Sequence, residues 1–245
     1  MSLTVVHGWR EVDPSFRGAS VALGNFDGVH LGHRRVLAEA ARAAGDLKAP
    51  FAAIRFSPHP IKVMRPQTPP FLLMTSGQQE RALEALGVEL LFDIPFDLAL
   101  AGLSDEQFAR QVLVEGLGVR HVAAGFNVSF GKDRGGDAEA LVRYGQAYGF
   151  AVTIVQPVAG ADGGQYSSSA AREAIRSGDM AAAARILGRP FAIEGVVATG
   201  ARLGRQIGFP TANVSLGDYV RPALGVYATR TRLPDGRRVP GVASV

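Results

Sequence analysis

Two imidazoles three residues apart, with a glycine between them, are the chain's first feature of chemical interest. They are His30 and His33, in the segment Gly24-Asn25-Phe26-Asp27-Gly28-Val29-His30-Leu31-Gly32-His33. The segment follows a short apolar run at 19–23 and enters an Ala/Leu/Arg-rich stretch at 32–44 with apolar residues at helical spacing, a strand–turn–helix pattern. Glycine lets a backbone turn tightly and approach a ligand closely. A helix N-terminus offers free N–H groups and a partial positive charge, which suits phosphate. Imidazoles there donate hydrogen bonds to phosphate oxygens without fixing a full charge. The alternative is a structural turn with one surface histidine and one at the helix start.

Three further segments carry candidate chemistry. In Phe56-Ser57-Pro58-His59-Pro60, two prolines hold His59 in a rigid loop. Ser167-Ser168-Ser169-Ala170-Ala171-Arg172 lies at a helix start, where hydroxyls, free N–H groups and Arg172 make a second anion site, or where the serines only cap the helix. The segment from Gly200 to Asn213 has glycines at 200, 204 and 208, and Thr211 and Asn213 supply oxygens suited to Mg²⁺ and phosphate. It is not a P-loop, because no Gly-Lys-Ser/Thr closes it. Read without a ligand, it is a glycine-rich hairpin loop.

The elements that must position these residues change character along the chain. Strands are expected at 19–23, 51–56, 89–92, 120–124 and 150–155, with helices at 32–44, from Ser76, from Ser104 to near 117, and at 137–148. Ser76/Gln79 and Ser104/Gln107 have capping-box spacing. Regular alternation argues an α/β fold, a parallel sheet covered by helices on both faces, with ligands at the carboxyl ends of its strands. Residues 168–187 read as two short helices broken at Gly178. After Gly188-Arg189-Pro190 the helical period stops, and strands are expected at 191–198, 225–233 and 239–245. The boundary is placed there, giving domains 1–188 and 189–245, the second small for a self-sufficient core.

Composition narrows the class. Of 245 residues, 47% are apolar and 20% charged, enough apolar content to bury a core. Cysteine is absent, which excludes disulfides, thiolate metal sites and cysteine nucleophiles. No apolar run has the length of a membrane span, and the N-terminus has no signal-peptide pattern, so a cytoplasmic protein without membrane partners is expected. The net charge is +4, with basic residues scattered, which fits anionic small molecules rather than nucleic acid.

Gly24-Asn25-Phe26-Asp27-Gly28-Val29-His30-Leu31-Gly32-His33 resembles the ATP-binding motif of the bacterial FAD synthetases, within the wider H-x-G-H nucleotidyltransferases. The proline-flanked His59 is similar to a family histidine, with Ser57 where an acidic residue is common. Gly125-Phe126-Asn127-Val128-Ser129-Phe130-Gly131 is similar to a family segment after the fourth strand, and the serines with Arg172 resemble another, with Ala170 where arginine is usual. Gly200-Ala201-Arg202-Leu203-Gly204-Arg205-Gln206-Ile207-Gly208-Phe209-Pro210-Thr211-Ala212-Asn213 resembles the riboflavin kinase signature almost residue for residue. The resemblance covers the whole chain but only part of the kinase barrel. The family's glutamate base has no match after Asn213, so kinase activity from this stretch alone is not expected.

The resemblance implies a Rossmann-like nucleotidyltransferase domain followed by a partial antiparallel β-barrel of riboflavin kinase type. It implies transfer of AMP from MgATP to FMN, and phosphorylation of riboflavin in the intact kinase module. It implies that Gly24, Asn25, Phe26, Asp27 and Gly32 approach the nucleotide and that His30 and His33 stabilise the triphosphate. Ser168, Ser169 and Arg172 would hold the leaving phosphates, with His59 and Asn127 as further contacts. Gly204, Arg205, Gly208 and Pro210 would line the kinase nucleotide site, and Thr211 and Asn213 would bind the metal. Phe126, Phe130 and Tyr166 are candidates for stacking on the flavin or for the core. The other functional readings are a different H-x-G-H nucleotidyltransferase and a non-catalytic flavin-binding homologue.

Overall fold

In a computed structural model the described residues are 2–157, 160, 164–198 and 211–245. The first strands and helices are β1 (Thr4–His7), β2 (Ser20–Leu23), α1 (Leu31–Leu47), β3 (Phe51–Ser57), α2 (Pro60–Met64), α3 (Ser76–Glu84) and β4 (Leu90–Pro95). Next come α4 (Leu98–Ala101), α5 (Asp105–Gln107) with a π-helical continuation over Phe108–Gly116, β5 (His121–Gly125), α6 (Ala138–Tyr148) and β6 (Ala151–Val155). Then follow α7 (Ser168–Arg176), α8 (Met180–Leu187), β7 (Val197–Ala198), β8 (Asn213–Val214), β9 (Val226–Arg232) and β10 (Arg238–Ser244).

The six strands of the main sheet are all parallel and lie in the order β1-β4-β3-β2-β5-β6. Alternation along each strand feeds two cores. Val21, Leu23, Ile54 and Phe92 face one side with the π-helix, while Ala22, Ala53 and Leu91 face the other with α1, α3, α7 and α8. From β2 the chain steps to β3 on one side, and the later β5 joins β2 on the other. The carboxyl end of β2 is therefore the point where strand order reverses, and such sheets open a ligand crevice there.

Some expectations shift. β1 is an additional edge strand, and α2 forms at Pro60, where the prolines were expected to hold a rigid loop. Proline at a first helical position loses no hydrogen bond, which makes that start favourable. The first capping box uses Thr75 and Gln78, one residue earlier than Ser76 and Gln79; the second uses Ser104 and Gln107 as expected. The strand expected at 191–198 is irregular except for β7, which pairs antiparallel with β8. β9 and β10 form an antiparallel hairpin.

The stretch after α8 lies against the first module. The Leu72 N–H donates to Asp218 O and the Val220 N–H to Leu72 O, both at 2.9 Å. Tyr219 and Val220 are buried, Val220 in the same core as Leu37 and Ile175. Among the described residues no helix is long and apolar enough to cross a membrane.

Candidate active site

The turn between β2 and α1 is conformationally costly. Phe26 has φ +52°, Gly28 +86° and Val29 +40°. Left-handed backbone is free for glycine and an outlier for a β-branched residue. Such residues cost about 1–3 kcal/mol each and persist only where their surroundings over-determine them. Here Phe26 and Val29 are each 1% exposed, locked in the core. Gly32 has a steric reason: a Cβ there would lie 2.7 Å from Tyr166 O and 3.1 Å from the His30 ring.

His30 caps α1, its Nδ1 accepting from the His33 N–H at 3.3 Å. That leaves the Nε2–H of the neutral ring as its donor. The His30 and His33 rings stack at 3.6 Å and 24°, and Phe26 meets His33 edge-on at 5.2 Å. Burial, then the Arg172 and Arg189 charges, push His30 down to about 4. Burial, then His30 and Arg172, hold His33 well below the usual imidazole range. Two stacked neutral imidazoles are therefore the state at neutral pH. Among the described residues, His33 Nδ1 and Asn25 Oδ1 are sealed from solvent with no hydrogen-bond partner. Buried polar atoms are nearly always paired, so two such atoms in one turn mark a place shaped for a ligand.

Asp27 and Arg172 have a different position from the one expected. The Asp27 carboxylate accepts from the Leu73 N–H at 2.9 Å, the Met74 N–H at 3.2 Å and Arg172 Nη2 at 2.7 Å. Burial pushes its carboxyl up, and Arg172 with the two N–H donors opposes that. Arg172 Nε donates to Phe71 O at 2.9 Å, and its guanidinium lies over the Phe71 ring. Both side chains thus brace the turn against α7 and the 71–74 segment. Ser168 does the same, its hydroxyl donating to Asp27 O at 2.8 Å, while Ser167 caps α7 and Ser169 is exposed. Phe26 is a core residue rather than a ligand contact.

His59 caps α2, its Nδ1 accepting from the Ile61 N–H, and its ring meets Phe71 edge-on at 4.9 Å. Burial, then Arg172 and Lys62, push it down to about 4. With Asn25 and Asp27 it lines a cavity of about 400 Å³ at the carboxyl ends of β2 and β3, closed by Thr75, Gln79 and the 215–219 segment. That volume is in the range of small-molecule sites. Neither His30 nor His33 lines the cavity. Asn127 is exposed beyond β5, outside the cluster; Phe126 is exposed and Phe130 buried in the core. Asn213, which opens β8, and Thr211, two residues before it, are exposed. Gly204, Arg205, Gly208 and Pro210 lie outside the described residues.

Sequence reasoning missed several residues of this region. Arg55 is buried and donates to both Asp93 oxygens at 2.9 and 2.8 Å and to Glu80 at 2.9 Å. Burial works against its charge, and these carboxylates outweigh that, raising its pKa. An arginine inside the apolar strand Phe-Ala-Ala-Ile-Arg-Phe-Ser was the available signal. Gln79 Nε2 donates to Asn25 O at 2.5 Å. Tyr219 donates to Gln78 Oε1 at 2.5 Å and accepts from the Glu194 N–H, contacts that no local pattern announces.

Residues 12–170 match the FAD synthetase family model and residues 187–245 the riboflavin kinase model. The chain belongs to the bifunctional riboflavin kinase/FMN adenylyltransferase family. It is 39% identical over 243 residues to the bifunctional riboflavin kinase/FMN adenylyltransferase of Pseudomonas fluorescens, covering 99% of this chain and 77% of that protein. The Escherichia coli K12 relative of the same name is 37% identical, covering 93% and 72%. A crystal structure described as a macrolide-efflux protein from Streptococcus pneumoniae superposes with a TM-score of 0.85 at 30% identity, over 100% of this chain and 79% of that one. The fold is therefore shared along the length of this chain, with the H-x-G-H turn inside the FAD synthetase match and Thr211 and Asn213 inside the kinase match.

Proposed function

We propose that this chain makes FAD from FMN in the cytoplasm, with the riboflavin kinase activity of its family assigned to the second module, and that the modules divide at 188/189. An oxygen of the FMN phosphate attacks the α-phosphorus of MgATP. The bond from that phosphorus to the oxygen bridging to the β-phosphate breaks, and pyrophosphate carries the charge away. A phosphate dianion needs no general base. The protein's work is positioning and charge stabilisation, with no protein nucleophile.

The observation that carries this reading is the pair of buried atoms without a partner among the described residues, His33 Nδ1 and Asn25 Oδ1, in a strained turn at the switch point of the sheet. In this reading the neutral His30 and His33 donate to phosphate oxygens as the α-phosphorus becomes crowded, and Asn25 accepts a donor from the nucleotide. Arg172 acts through Asp27, holding the turn, and His59 faces the cavity beside it. Mg²⁺ enters as part of the nucleotide substrate. Thr211 and Asn213 offer a hydroxyl and an amide oxygen, hard donors that suit Mg²⁺ when phosphates supply the rest of its shell.

The test is incubation of the purified chain with MgATP and FMN, and separately with MgATP and riboflavin, followed by chromatography of the flavins. FAD from FMN is the expected product. A folded sample that makes no FAD overturns adenylyl transfer and leaves a flavin-binding homologue.

A further inference from the structure

Arg189 lies directly after the Gly188 that ends α8, and its backbone has little freedom. Gly188 is left-handed at φ +69°, and Pro190 restricts the residue before it to extended backbone. Its half-buried guanidinium reaches back across the chain. Nη2 donates to Gly28 O at 2.7 Å, and Nη1 to Leu187 O at 3.1 Å and Val29 O at 3.4 Å. Arg34 comes from α1 to the same carbonyls, Nε to Val29 O and Nη2 to Leu187 O, each at 3.4 Å. Two guanidinium groups thus converge on backbone oxygens, and among the described residues no carboxylate pairs with either. Burial, and then Arg34, lower the pKa of Arg189, so the arrangement works against its charge.

The surrounding turn explains what that unfavourable placement does. Asn25 O accepts from Gln79, Asp27 O from Ser168, Gly28 O from Arg189, and Val29 O from Arg34 and Arg189; Phe26 O accepts from the Val29 N–H. Five successive carbonyls are tied, four of them by side chains from other parts of the chain. Those ties over-determine the left-handed residues Phe26, Gly28 and Val29. Among the described residues, the ties from beyond α8 are those that Arg189 makes to Gly28 O and Val29 O.

We infer that Arg189 is a positioning residue for adenylyl transfer: by holding the Gly28 and Val29 carbonyls it fixes the turn that presents His30 and His33, and so makes the start of the second module part of the first module's active geometry. This inference rests on the adenylyl-transfer reading above. The same contacts cap α8 at Leu187, so the test must separate positioning from capping.

Arg189→Met and Arg189→Lys are compared with the wild-type 245-residue chain for kcat and KM for MgATP at saturating FMN, for FMN affinity, for melting temperature, and for amide hydrogen exchange in peptides covering 24–33 and 180–187. Because small misplacements of reacting groups cost about 100-fold, Arg189→Met is expected to lower kcat/KM for MgATP by roughly 30- to 100-fold, with FMN affinity within about 2-fold. Arg189→Lys restores a single-point donor and is expected to recover about 3- to 10-fold of the loss. Exchange should quicken at 24–33 and not at 180–187. Unchanged kinetics, or faster exchange confined to 180–187, overturns the inference. Equal losses for MgATP and FMN with faster exchange in both peptides also overturn it, as a general destabilisation. If Arg189→Met does not fold, Arg189→Lys carries the same readouts. If the wild-type chain makes no FAD, the functional reading fails. The exchange comparison then decides separately whether Arg189 holds the turn.

Discussion

The turn between β2 and α1 and the hairpin of β9 and β10 solve opposite problems. In the hairpin, seven residue pairs run in unbroken antiparallel register, so the ladder is made by backbone pairing between neighbouring strands. Its side chains are left uncovered, with Val226 74% and Val242 75% exposed. In the turn the backbone is strained and satisfied largely from outside, while the apolar side chains are sealed. The comparison teaches where chemistry is built here. A hairpin can form from local pairing. The turn is held by side chains from α3, α7 and the residues after α8, and it presents two neutral imidazoles and two buried polar atoms that have no partner among the described residues.

If the turn depends on its braces, removing one should cost far more than any change in the hairpin. Asp27→Asn breaks a buried ion pair and leaves Arg172 without its carboxylate, so a loss of about 3–5 kcal/mol is expected in urea denaturation. A loss under 1 kcal/mol would show that the turn stands without this brace. His33→Ala leaves the braces and removes the chemistry. Loss of a preorganised donor should lower kcat by about 100- to 1,000-fold while FMN affinity stays within about 3-fold. Equal losses in both would assign His33 to flavin binding instead.

The parallel sheet was legible because each strand is a short apolar run followed by a helical period, a local signal. β1 was not, because Thr4–His7 is an edge strand defined by its pairing with β4. At the site, the histidine spacing, the glycine need and the helix start were legible from residues 24–33 alone. The roles of Asp27, Ser168 and Arg172 were not. Each has the chemistry of a phosphate ligand, and only contacts 101 to 145 residues apart in sequence show that they hold the backbone of the turn. Gln79, Arg189 and Tyr219 stayed unread for the same reason: a side chain that donates to a distant carbonyl has no sequence period. The strand expected over 191–198 failed at 191–196 because the start of that stretch is held by the first module, Phe191 packing against the core of Leu37 and Ile175 and Ala192 O accepting from Gln78, rather than by a ladder.

The histidine environment gives a smaller effect with a definite sign. His30 is held at about 4 in the folded chain and returns to about 6.5 when unfolded. Between those values the unfolded chain binds a proton that the folded chain does not, so stability falls as pH drops from 6.5 toward 4. For a group this buried the difference between pH 7 and pH 5 is roughly 1–2 kcal/mol. His30→Asn keeps a good helix cap and cannot titrate, so its stability should fall less than the wild type's over the same interval. Parallel pH profiles for the two proteins would remove His30 as the source.

The smallest expected effect comes from the hairpin. Arg237 donates to Asp235 at its tip through Nε at 2.6 Å, and both side chains are more than half exposed. A pair in that setting gains little, because water and salt screen its attraction and two side chains must be ordered to make it. Asp235→Asn should therefore shift stability by less than about 1 kcal/mol and leave FAD formation unchanged. The same carboxylate-to-amide substitution is then made at two arginine pairs, one buried under a strained turn and one at an exposed tip. If the two losses came out alike, geometry and burial would not be what separates these regions, and the bracing assigned to Asp27 would have to be abandoned.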